Sequence, residues 1–436
     1  MATETVLDQQ NGADITVSTN GSAKAKTATV DASIALSPCN IDAVPGLIGQ
    51  ISKLSNGSLK EDKTRLEVLD NARALVRALE TPRETMIKHT WAQNTNFAAI
   101  AFGVETGLWI QMVNNGDGSQ KVVDLAKQLG QDPTLLARML KHICAMGYII
   151  ETGPDEYTPN NFTKSLSLPI IAHSYPVCLW SVNTALVNSH KYLKEIGYQN
   201  PTSPTDGNYQ RAHNTSMDFF AHLQANPPAG ERFNNLMGGY RQGRPSWMDE
   251  GFFPVRERLL DGFEGGSDAA LLVDIGGNVG HDLDEFRRKF PDAPGRLVLQ
   301  DLQRVLDQIE ELDSKIERCT YDFYEENPVK GARAYYVHTV LHDWPDELCV
   351  KILARIKEAM KPGYSRLLIN EQVIPPTGAH WEATCLDVLM MNLFSAKERT
   401  EADWHNLVET LSGLRIVKFW SVGNGVENLI EVVRDE

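Results

Sequence analysis

The segment Leu271-Leu-Val-Asp-Ile-Gly-Gly-Asn-Val-Gly-His281 passes from an apolar run into three closely spaced glycines. The residues that follow it are apolar at helical spacing, at Leu283, Phe286 and Phe290. The segment therefore predicts a strand, a tight turn and a helix. Glycine lets the backbone turn sharply and lets a ligand approach without meeting a Cβ. The N–H groups at the start of the helix suit an anionic part of that ligand.

A second apolar run, Arg296-Leu-Val-Leu-Gln-Asp301, ends in an acid about 20 residues after the glycines. An acid at this position can accept hydrogen bonds from both hydroxyls of a ribose. The pattern D-x-G-G-x-x-G-H, rather than G-x-G-x-x-G, favours S-adenosylmethionine (SAM) over NAD. The alternative is an ordinary strand-to-helix turn. The candidate cofactor-binding residues are Asp274, Gly276, Gly277 and Asp301.

Composition limits the kind of protein. The chain has 436 residues, enough for two or three domains, and 42% of them are hydrophobic. The net charge of −15 argues against a nucleic-acid partner, which would call for a basic surface. Six cysteines without a C-x-x-C pair indicate reduced thiols in a cytoplasmic protein. We find no long apolar run and no signal peptide, and therefore expect no membrane partner.

The first half of the chain predicts an arm and a helical domain. Residues 1–40 are rich in small and polar side chains and predict a disordered arm. Residues 41–250 are expected to form a helical domain, and residues 251–436 the cofactor-binding domain. Within residues 119–151, two short helices and the start of a strand predict a winged helix. Because the protein is acidic, we favour a role in dimerisation or as a substrate lid over DNA binding.

From about residue 265 onward, the sequence predicts five strands that alternate with helices. They are Leu271–Ile275, Leu297–Gln300, Ile316–Tyr321, Ala334–His338 and Leu367–Asn370. This order predicts an α/β fold, with a Rossmann-like, doubly wound parallel sheet. Ligands of such sheets lie beyond the carboxyl ends of the strands. The polar residues of interest all fall there: Asp274, Asp301, Asp322, His342 and Glu371.

A second group of polar residues lies in Ala334-Tyr-Tyr-Val-His-Thr-Val-Leu-His-Asp-Trp-Pro-Asp-Glu347. His342 follows the end of a predicted strand, and histidine is the side chain best suited to take a proton near neutral pH. A nearby carboxylate can orient the ring and stabilise its charged form. Glu371 ends another predicted strand, and Glu398 lies in Lys397-Glu-Arg-Thr400. Each acid, taken alone, is more typical of a surface carboxylate.

In combination, these motifs resemble a known family. Residues 265–435 are similar to the catalytic domain of the plant caffeate-type and fungal secondary-metabolite O-methyltransferases. Residues from about 85 to 250 resemble the helical, winged-helix dimerisation domain of that family. The resemblance is carried by V-D-I-G-G-N-V-G-H, Y-D-F-Y-E (321–325), V-L-H-D-W-P-D-E (340–347) and K-E-R-T (397–400).

The resemblance implies a SAM-dependent O-methyltransferase that forms a homodimer. It implies that His342 is the general base, that Glu371 and Glu398 flank it, and that Asp301 binds the ribose of SAM. It also implies that Asp322 and Phe323 place the adenine. Because a base and an aligned acceptor oxygen suffice for methyl transfer, we expect no metal.

Two positions depart from the family pattern. Asn278 stands where a third consecutive glycine is usual, and asparagine tolerates a left-handed backbone better than most residues. Arg333 stands where the family usually has an acid, and we expect its charge to lie near the cofactor. A third residue, His338, lies four positions before His342 and is interpreted as a strand-end side chain.

Three functions remain open from the sequence. The complete set of His342, Glu371 and Glu398 favours methyl transfer to a phenol or enol hydroxyl of a small aromatic or polyketide-type metabolite. A SAM-binding pericyclase or dehydratase of the same fold is the alternative. The third function is a non-enzymatic winged-helix regulator, against which the net charge argues.

Overall fold

The computed structural model describes residues 30–423 and 425–435. The chain divides into two compact units, Met1–Lys164 and Ser165–Glu436. This division differs from the boundary expected near residue 250. The reason is a shared core, in which Val177 and Tyr209 pack with Phe394 from the carboxyl-terminal part of the chain. Most of the predicted arm, residues 1–29, lies outside the described residues, and a 3-10 helix spans Ala32–Leu36.

The first unit is mostly helical and contains one small antiparallel sheet of order β1-β3-β2. Its helices are α1 (Val44–Ser55), α2 (Asp62–Leu79), α3 (Pro82–Ile87), α4 (Gln93–Glu105), α5 (Leu108–Asn115), α6 (Val122–Leu129) and α7 (Pro133–Ala145), and α8 (Asn161–Ser165) spans the division. Its strands are β1 (Gln120–Lys121), β2 (Ile150–Gly153) and β3 (Glu156–Thr158). The two helices and the following strand of the winged-helix prediction therefore occur in the predicted order.

Local sequence signals determine two helix starts in this unit. Thr81 and Glu84 form a reciprocal capping box at the start of α3, with Pro82 in its first turn. Asp132 accepts a hydrogen bond from the Leu135 N–H at the start of α7. These side chains satisfy N–H groups that the helix itself leaves unpaired.

The second unit combines a helical segment with a large sheet. Its helices are α9 (Pro169–Ala172), α10 (Ser174–Val177), α11 (Asn183–Glu195), α12 (Asn208–His213), α13 (Phe219–Ala225), α14 (Ala229–Arg241), α15 (His281–Lys289), α16 (Gln303–Leu306), α17 (Asp346–Ala359), α18 (Trp381–Phe394) and α19 (Glu401–His405). Its strands are β4 (Ala270–Ile275), β5 (Arg296–Asp301), β6 (Ile316–Thr320), β7 (Ala334–His338), β8 (Arg366–Glu371), β9 (Val373–Ile374), β10 (Arg399–Thr400), β11 (Arg415–Trp420) and β12 (Asn428–Val433).

The large sheet has seven strands in the order β11-β12-β8-β7-β4-β5-β6. The five predicted strands are β4 to β8 and run parallel, as expected. The sheet as a whole is mixed, because β12 pairs antiparallel with both β8 and β11. The predicted parallel sheet is therefore confirmed for β4 to β8, whereas β11 and β12 extend it as an antiparallel edge. The order of strands reverses between β4 and β7, which is where ligands of such sheets bind.

Both faces of the sheet are covered by apolar clusters. On one face, Val273, Tyr335 and Ile369 pack with α17 through Ile352 and Leu353. The opposite face includes Leu272, Leu297 and Leu368, together with Phe286 of α15. Burial on both faces explains why these strands are continuously apolar in the sequence.

A continuous helical stretch, Pro169–Glu195, is long and apolar enough by length and composition to cross a membrane. Part of this stretch packs in the second unit, where Val177, Val182 and Ala185 are buried in one cluster with Leu393 and Phe394. The expectation of no membrane partner stays a prediction.

Candidate active site

The glycine-rich turn after β4 has the tight geometry that its sequence predicts. Gly276 and Gly280 have φ angles of 71° and 88°. A Cβ on Gly277 would lie 2.5 Å from the Asp274 carboxyl group, so only glycine fits. Asn278 has φ of 54°, which confirms that asparagine takes the left-handed backbone conformation here.

Asp274 is the last residue but one of β4, beside this turn, and is 1% exposed. Within the described chain, neither of its carboxylate oxygens has a hydrogen-bond partner. Burial raises the pKa of Asp274 to about 7, although the charges of His338 and Arg241 act to lower it. An unpaired buried carboxylate beside a glycine turn fits the ammonium and the close approach of SAM.

The other predicted cofactor residues lie at the ends of neighbouring strands. Asp301 ends β5, and its carboxylate accepts hydrogen bonds from the N–H groups of Asn278 (2.8 Å) and Leu302 (2.7 Å). Asp322 follows β6 and accepts from the Tyr324 N–H. Phe323 lies edge-on to Trp344, with ring centres 5.9 Å apart. Asp301 therefore holds the glycine turn, and its predicted contact with ribose stays a prediction, as does the adenine role of Asp322 and Phe323.

His342 lies in a short 3-10 turn, Leu341–Asp343, directly after β7 and is 7% exposed. Its Nδ1 lies 2.6 Å from Glu398 Oε1, although the two residues are 56 positions apart. Asp343 Oδ1 lies 3.5 Å from Nε2, the other ring nitrogen. Because Nδ1–H donates to a carboxylate, Nε2 is the nitrogen left to accept a proton.

Glu371 supports the same turn from the end of β8. Its Oε1 accepts hydrogen bonds from the backbone N–H groups of Val340, Leu341 and His342, at 3.0, 2.8 and 3.3 Å. Its Oε2 lies 3.7 Å from His342 Nδ1. The carboxylate thus fixes the backbone that carries the histidine and adds negative charge beside its ring.

The charges around His342 favour its protonated form. Burial alone would lower its pKa, but the carboxylates of Glu371, Glu398 and Asp343 outweigh burial and raise the pKa of His342 well above its ordinary value. Burial also raises the pKa of Asp343 to about 7. The site can therefore accept a proton and hold it on the imidazole.

Arg399 is a site residue that our sequence reasoning did not single out. It is 1% exposed, and its guanidinium donates to the carbonyl oxygens of Leu341 and Trp344 at 2.8 and 2.9 Å. It also pairs with Asp346 at 2.7 Å. Arg399 thereby stabilises both ends of the turn that carries His342 through hydrogen bonds to its backbone. The signal was present in Lys397-Glu-Arg-Thr400, but nothing in that run indicates which carbonyl groups it reaches.

His338 ends β7 and belongs to a different network. Its Nδ1 lies 2.7 Å from Asp282 and its Nε2 lies 3.4 Å from Glu427. Asp282 also pairs with Arg241 of α14. Tyr240 donates to Glu427 at 3.2 Å. Both ring nitrogens of His338 thus face carboxylates that other residues also bind.

Arg333 does not lie near the cofactor turn, which corrects our expectation. It precedes the first residue of β7, at the amino end of the strand. Its guanidinium donates to the carbonyl oxygens of Tyr364 and Arg258, both at 2.8 Å. Arg333 therefore links two loops at the amino ends of the strands, on the side opposite to the carboxyl ends.

The three residues of the predicted catalytic set also have the composition of a metal site. His342, Glu371 and Glu398 bring ligand atoms within 4.8 Å of one another. One histidine and two carboxylates suit several divalent metals. The expectation that no metal is needed therefore stays a prediction.

Comparison with known proteins gives the family. An O-methyltransferase domain model matches residues 248–413. O-methyltransferase mpaG of Penicillium brevicompactum is 36% identical over 374 residues, which cover 85% of this chain and 93% of that protein.

Solved structures are similar over almost the whole chain. One, described as "A Pericyclic Reaction enzyme", has a TM-score of 0.81 and 28% identity and covers 91% of this chain and 100% of its own. The structure of LepI in complex with SAM has the same TM-score and identity and covers 91% and 99%.

Proposed function

The chain belongs to the O-methyltransferase family of fungal secondary metabolism, and we propose that it methylates a phenol or enol hydroxyl of a small aromatic metabolite with His342 as the general base. SAM is its cofactor. The observation that carries the proposal is the contact of 2.6 Å between His342 Nδ1 and Glu398, which leaves Nε2 free to take a proton.

Each residue of the site has a defined task in this reaction. Bound SAM supplies an electrophilic methyl group on a positively charged sulfur. His342 Nε2 removes the proton of the acceptor hydroxyl as the oxygen attacks, because a protonated hydroxyl is a poor nucleophile. Glu398 orients the ring and stabilises the imidazolium that forms. Glu371 and Arg399 hold the turn in place, and such alignment supplies much of the rate.

The test uses SAM with an isotopic label in its methyl group and a panel of polyketide phenols and pyridone alcohols. We expect labelled product with the wild-type enzyme and loss of that product in His342→Ala. His405→Ala is the matched control, because His405 lies on α19 with its side chain 45% exposed, and it should retain activity. Labelled product that is unchanged in His342→Ala would contradict the role of base.

The second candidate is a pericyclase or dehydratase that binds SAM without transferring its methyl group. Its support is the similarity to the structure described as "A Pericyclic Reaction enzyme". The same assay separates the two functions. An unlabelled product that is isomeric with its substrate, or lighter by one water, and that depends on SAM would favour this candidate.

We also propose that the first unit mediates a homodimer in the cytoplasm and binds no nucleic acid. The support is exposed apolar side chains there, including Trp91 (66% exposed), Ile110 (54%) and Met86 (53%). Light scattering should give twice the monomer mass, and Trp91→Asp should reduce that mass. A gel-shift assay at low salt should detect no binding of duplex DNA.

A further inference from the structure

Asn278 differs from Gly276 and Gly277 in the turn after β4, because it carries a side chain on a left-handed backbone. Its φ is 54°, a conformation that costs free energy for a residue with a Cβ and that glycine adopts without strain. The family that the sequence resembles usually has glycine at this position. Backbone strain of this kind clusters at ligand-binding and active sites.

The side-chain amide of Asn278 carries a second energetic cost. Its Oδ1 is shielded from solvent and makes no hydrogen bond within the described chain. Both carboxylate oxygens of Asp274, the predicted cofactor residue beside the same turn, share these two properties. A shielded acceptor without a donor costs free energy, and a ligand that supplies the donor recovers it.

The contacts of the turn place Asn278 beside Asp301. A Cβ on Gly277 would lie 2.5 Å from the carboxyl group of Asp274, which suits the ammonium of SAM. The next residue, Asn278, donates its backbone N–H to Asp301 Oδ2 at 2.8 Å. Asp301 is the predicted acceptor for the ribose hydroxyls of SAM. Asn278 is therefore fastened to the residue expected at the ribose rather than to the one expected at the ammonium.

We propose that Asn278 is a cofactor-binding residue whose Oδ1 accepts a hydrogen bond from a ribose hydroxyl of SAM. This rests on the predicted ribose contact of Asp301 and on SAM binding, which methyl transfer and the pericyclase alternative both need. The ribose then has a carboxylate and an amide as acceptors. Holding it at two points restricts the orientation of the cofactor, and alignment supplies much of the rate of methyl transfer. The strained backbone and the unpaired oxygen are compensated when the cofactor binds.

Calorimetric binding of S-adenosylhomocysteine, the demethylated form of SAM, tests the proposal. The other probes are its 2′-deoxy, 3′-deoxy and deaminated analogues, each of which lacks one group. We expect both deoxy analogues to bind the wild-type protein more weakly than the parent compound. In Asn278→Gly, the loss for at least one deoxy analogue should shrink about 3- to 10-fold, which corresponds to one neutral hydrogen bond. The loss for the deaminated analogue should stay the same, because the ammonium is assigned to Asp274.

Two variants separate binding from backbone strain. Asn278→Gly removes the amide and relieves the strain, so the ligand-free protein should unfold at a temperature no lower than wild type. Asn278→Ala removes the same amide but keeps a Cβ on the left-handed backbone, so its midpoint of unfolding should fall. Both variants should lose the same discrimination between the parent compound and the deoxy analogue. Discrimination that is lost only in the less stable variant would show a structural role and overturn the proposal.

Asn214→Gly is the matched control. Asn214 is also left-handed, with φ of 51°, but it is exposed and follows the end of α12. This variant should leave all four affinities unchanged. Two further results would overturn the proposal. One is a loss for both deoxy analogues that is the same in Asn278→Gly as in wild type, and the other is a change confined to the deaminated analogue.

Since no methyl is transferred in these measurements, their result is independent of the labelling assay. The expected losses with no labelled product would count against methyl transfer alone. Labelled product together with unchanged losses in Asn278→Gly would count against the ribose contact alone. A wild-type protein that does not bind S-adenosylhomocysteine would overturn both.

Discussion

Two histidines four residues apart, His338 and His342, have contrasting surroundings. At the carboxyl edge of the same sheet, His338 lies near two carboxylates and His342 near three. Around His338, those carboxylates are bound by Arg241 and Tyr240 as well, so the network is internally satisfied. Around His342, Glu398 and Glu371 each have one buried oxygen, Oε2, that makes no hydrogen bond within the described chain.

The difference teaches that proximity to acids does not by itself make a histidine a base. His338 has both nitrogens against carboxylates, so neither is available to a substrate hydroxyl. His342 has one nitrogen in a short hydrogen bond and one near an acid that it does not contact closely. The first arrangement supports structure, and the second leaves a position for a reacting proton.

The largest expected effect is on catalysis at His342. His342→Gln should lower kcat about 10²- to 10⁴-fold, because general-base catalysis contributes that much. The midpoint of thermal unfolding should fall as well, because Glu371, Glu398 and Asp343 lose the imidazole that they surround. Steady-state kinetics with labelled SAM measures kcat, and calorimetry measures the midpoint of unfolding. A loss of kcat below threefold would remove the distinction between the two histidines.

The matching change at His338 should act on stability instead. His338→Gln removes the imidazole that bridges Asp282 and Glu427 in a buried network, and breaking such a network costs about 3 kcal/mol of the free energy of unfolding. We expect kcat to fall less than tenfold. Urea unfolding with and without S-adenosylhomocysteine measures the stability. A variant as stable as wild type but catalytically dead would reverse the assignment.

The pH dependence of stability sharpens the contrast. Burial alone would raise the pKa of Glu427. The hydrogen bond and charge of His338, together with the charge of Arg244, outweigh burial and lower this pKa from 4.5 to about 2. Because the folded-state pKa is depressed, this contribution is present above pH 4.5 and is lost as the pH falls towards 2.

We therefore expect a loss of about 2 kcal/mol in the free energy of unfolding between pH 6 and pH 3 from this group. In Glu427→Gln this part of the slope should be absent. Urea titrations over that range provide the measurement. An identical slope in both proteins would show that Glu427 does not titrate as its surroundings require.

Removal of a carboxylate beside His342 should alter the pH profile of activity. His342 must be neutral to accept a proton, and its pKa is raised by Glu371, Glu398 and Asp343. Glu398→Gln should therefore shift the rising limb of kcat/KM to lower pH, because the neutral imidazole then forms at lower pH. The maximum should fall about tenfold, because Nδ1 loses its charged partner. A shift to higher pH would contradict the electrostatic argument.

The smallest expected effect concerns metal. We expect dialysis against EDTA to change methyl transfer by less than twofold, because the acid–base and positioning roles proposed for His342, Glu371 and Glu398 need no ion. Elemental analysis of the dialysed protein is the control. Activity that disappears with EDTA and returns with one divalent metal would instead make the same three residues ligands.

Local signals predicted much of this chain. The strands that became β4, β5, β7 and β8 were predicted because buried parallel strands are continuously apolar. The glycine turn was predicted because left-handed backbone and close approach restrict the residue type. The antiparallel strands β11 and β12 were missed, since their pairing with β8 depends on register between distant segments.

In the candidate site, too, local features were predicted from the sequence and contacts between distant segments were not. Sequence alone predicted the glycine turn and the histidine-bearing segment, because both depend on neighbours in the chain. Only the tertiary structure decided that Glu398 reaches His342 across 56 residues and that Arg399 holds the turn between Leu341 and Trp344. It also assigned His338 to Asp282 and Glu427, 56 and 89 residues away. The physical reason is that hydrogen bonds and charges act over a few ångströms in space, whatever the separation along the chain.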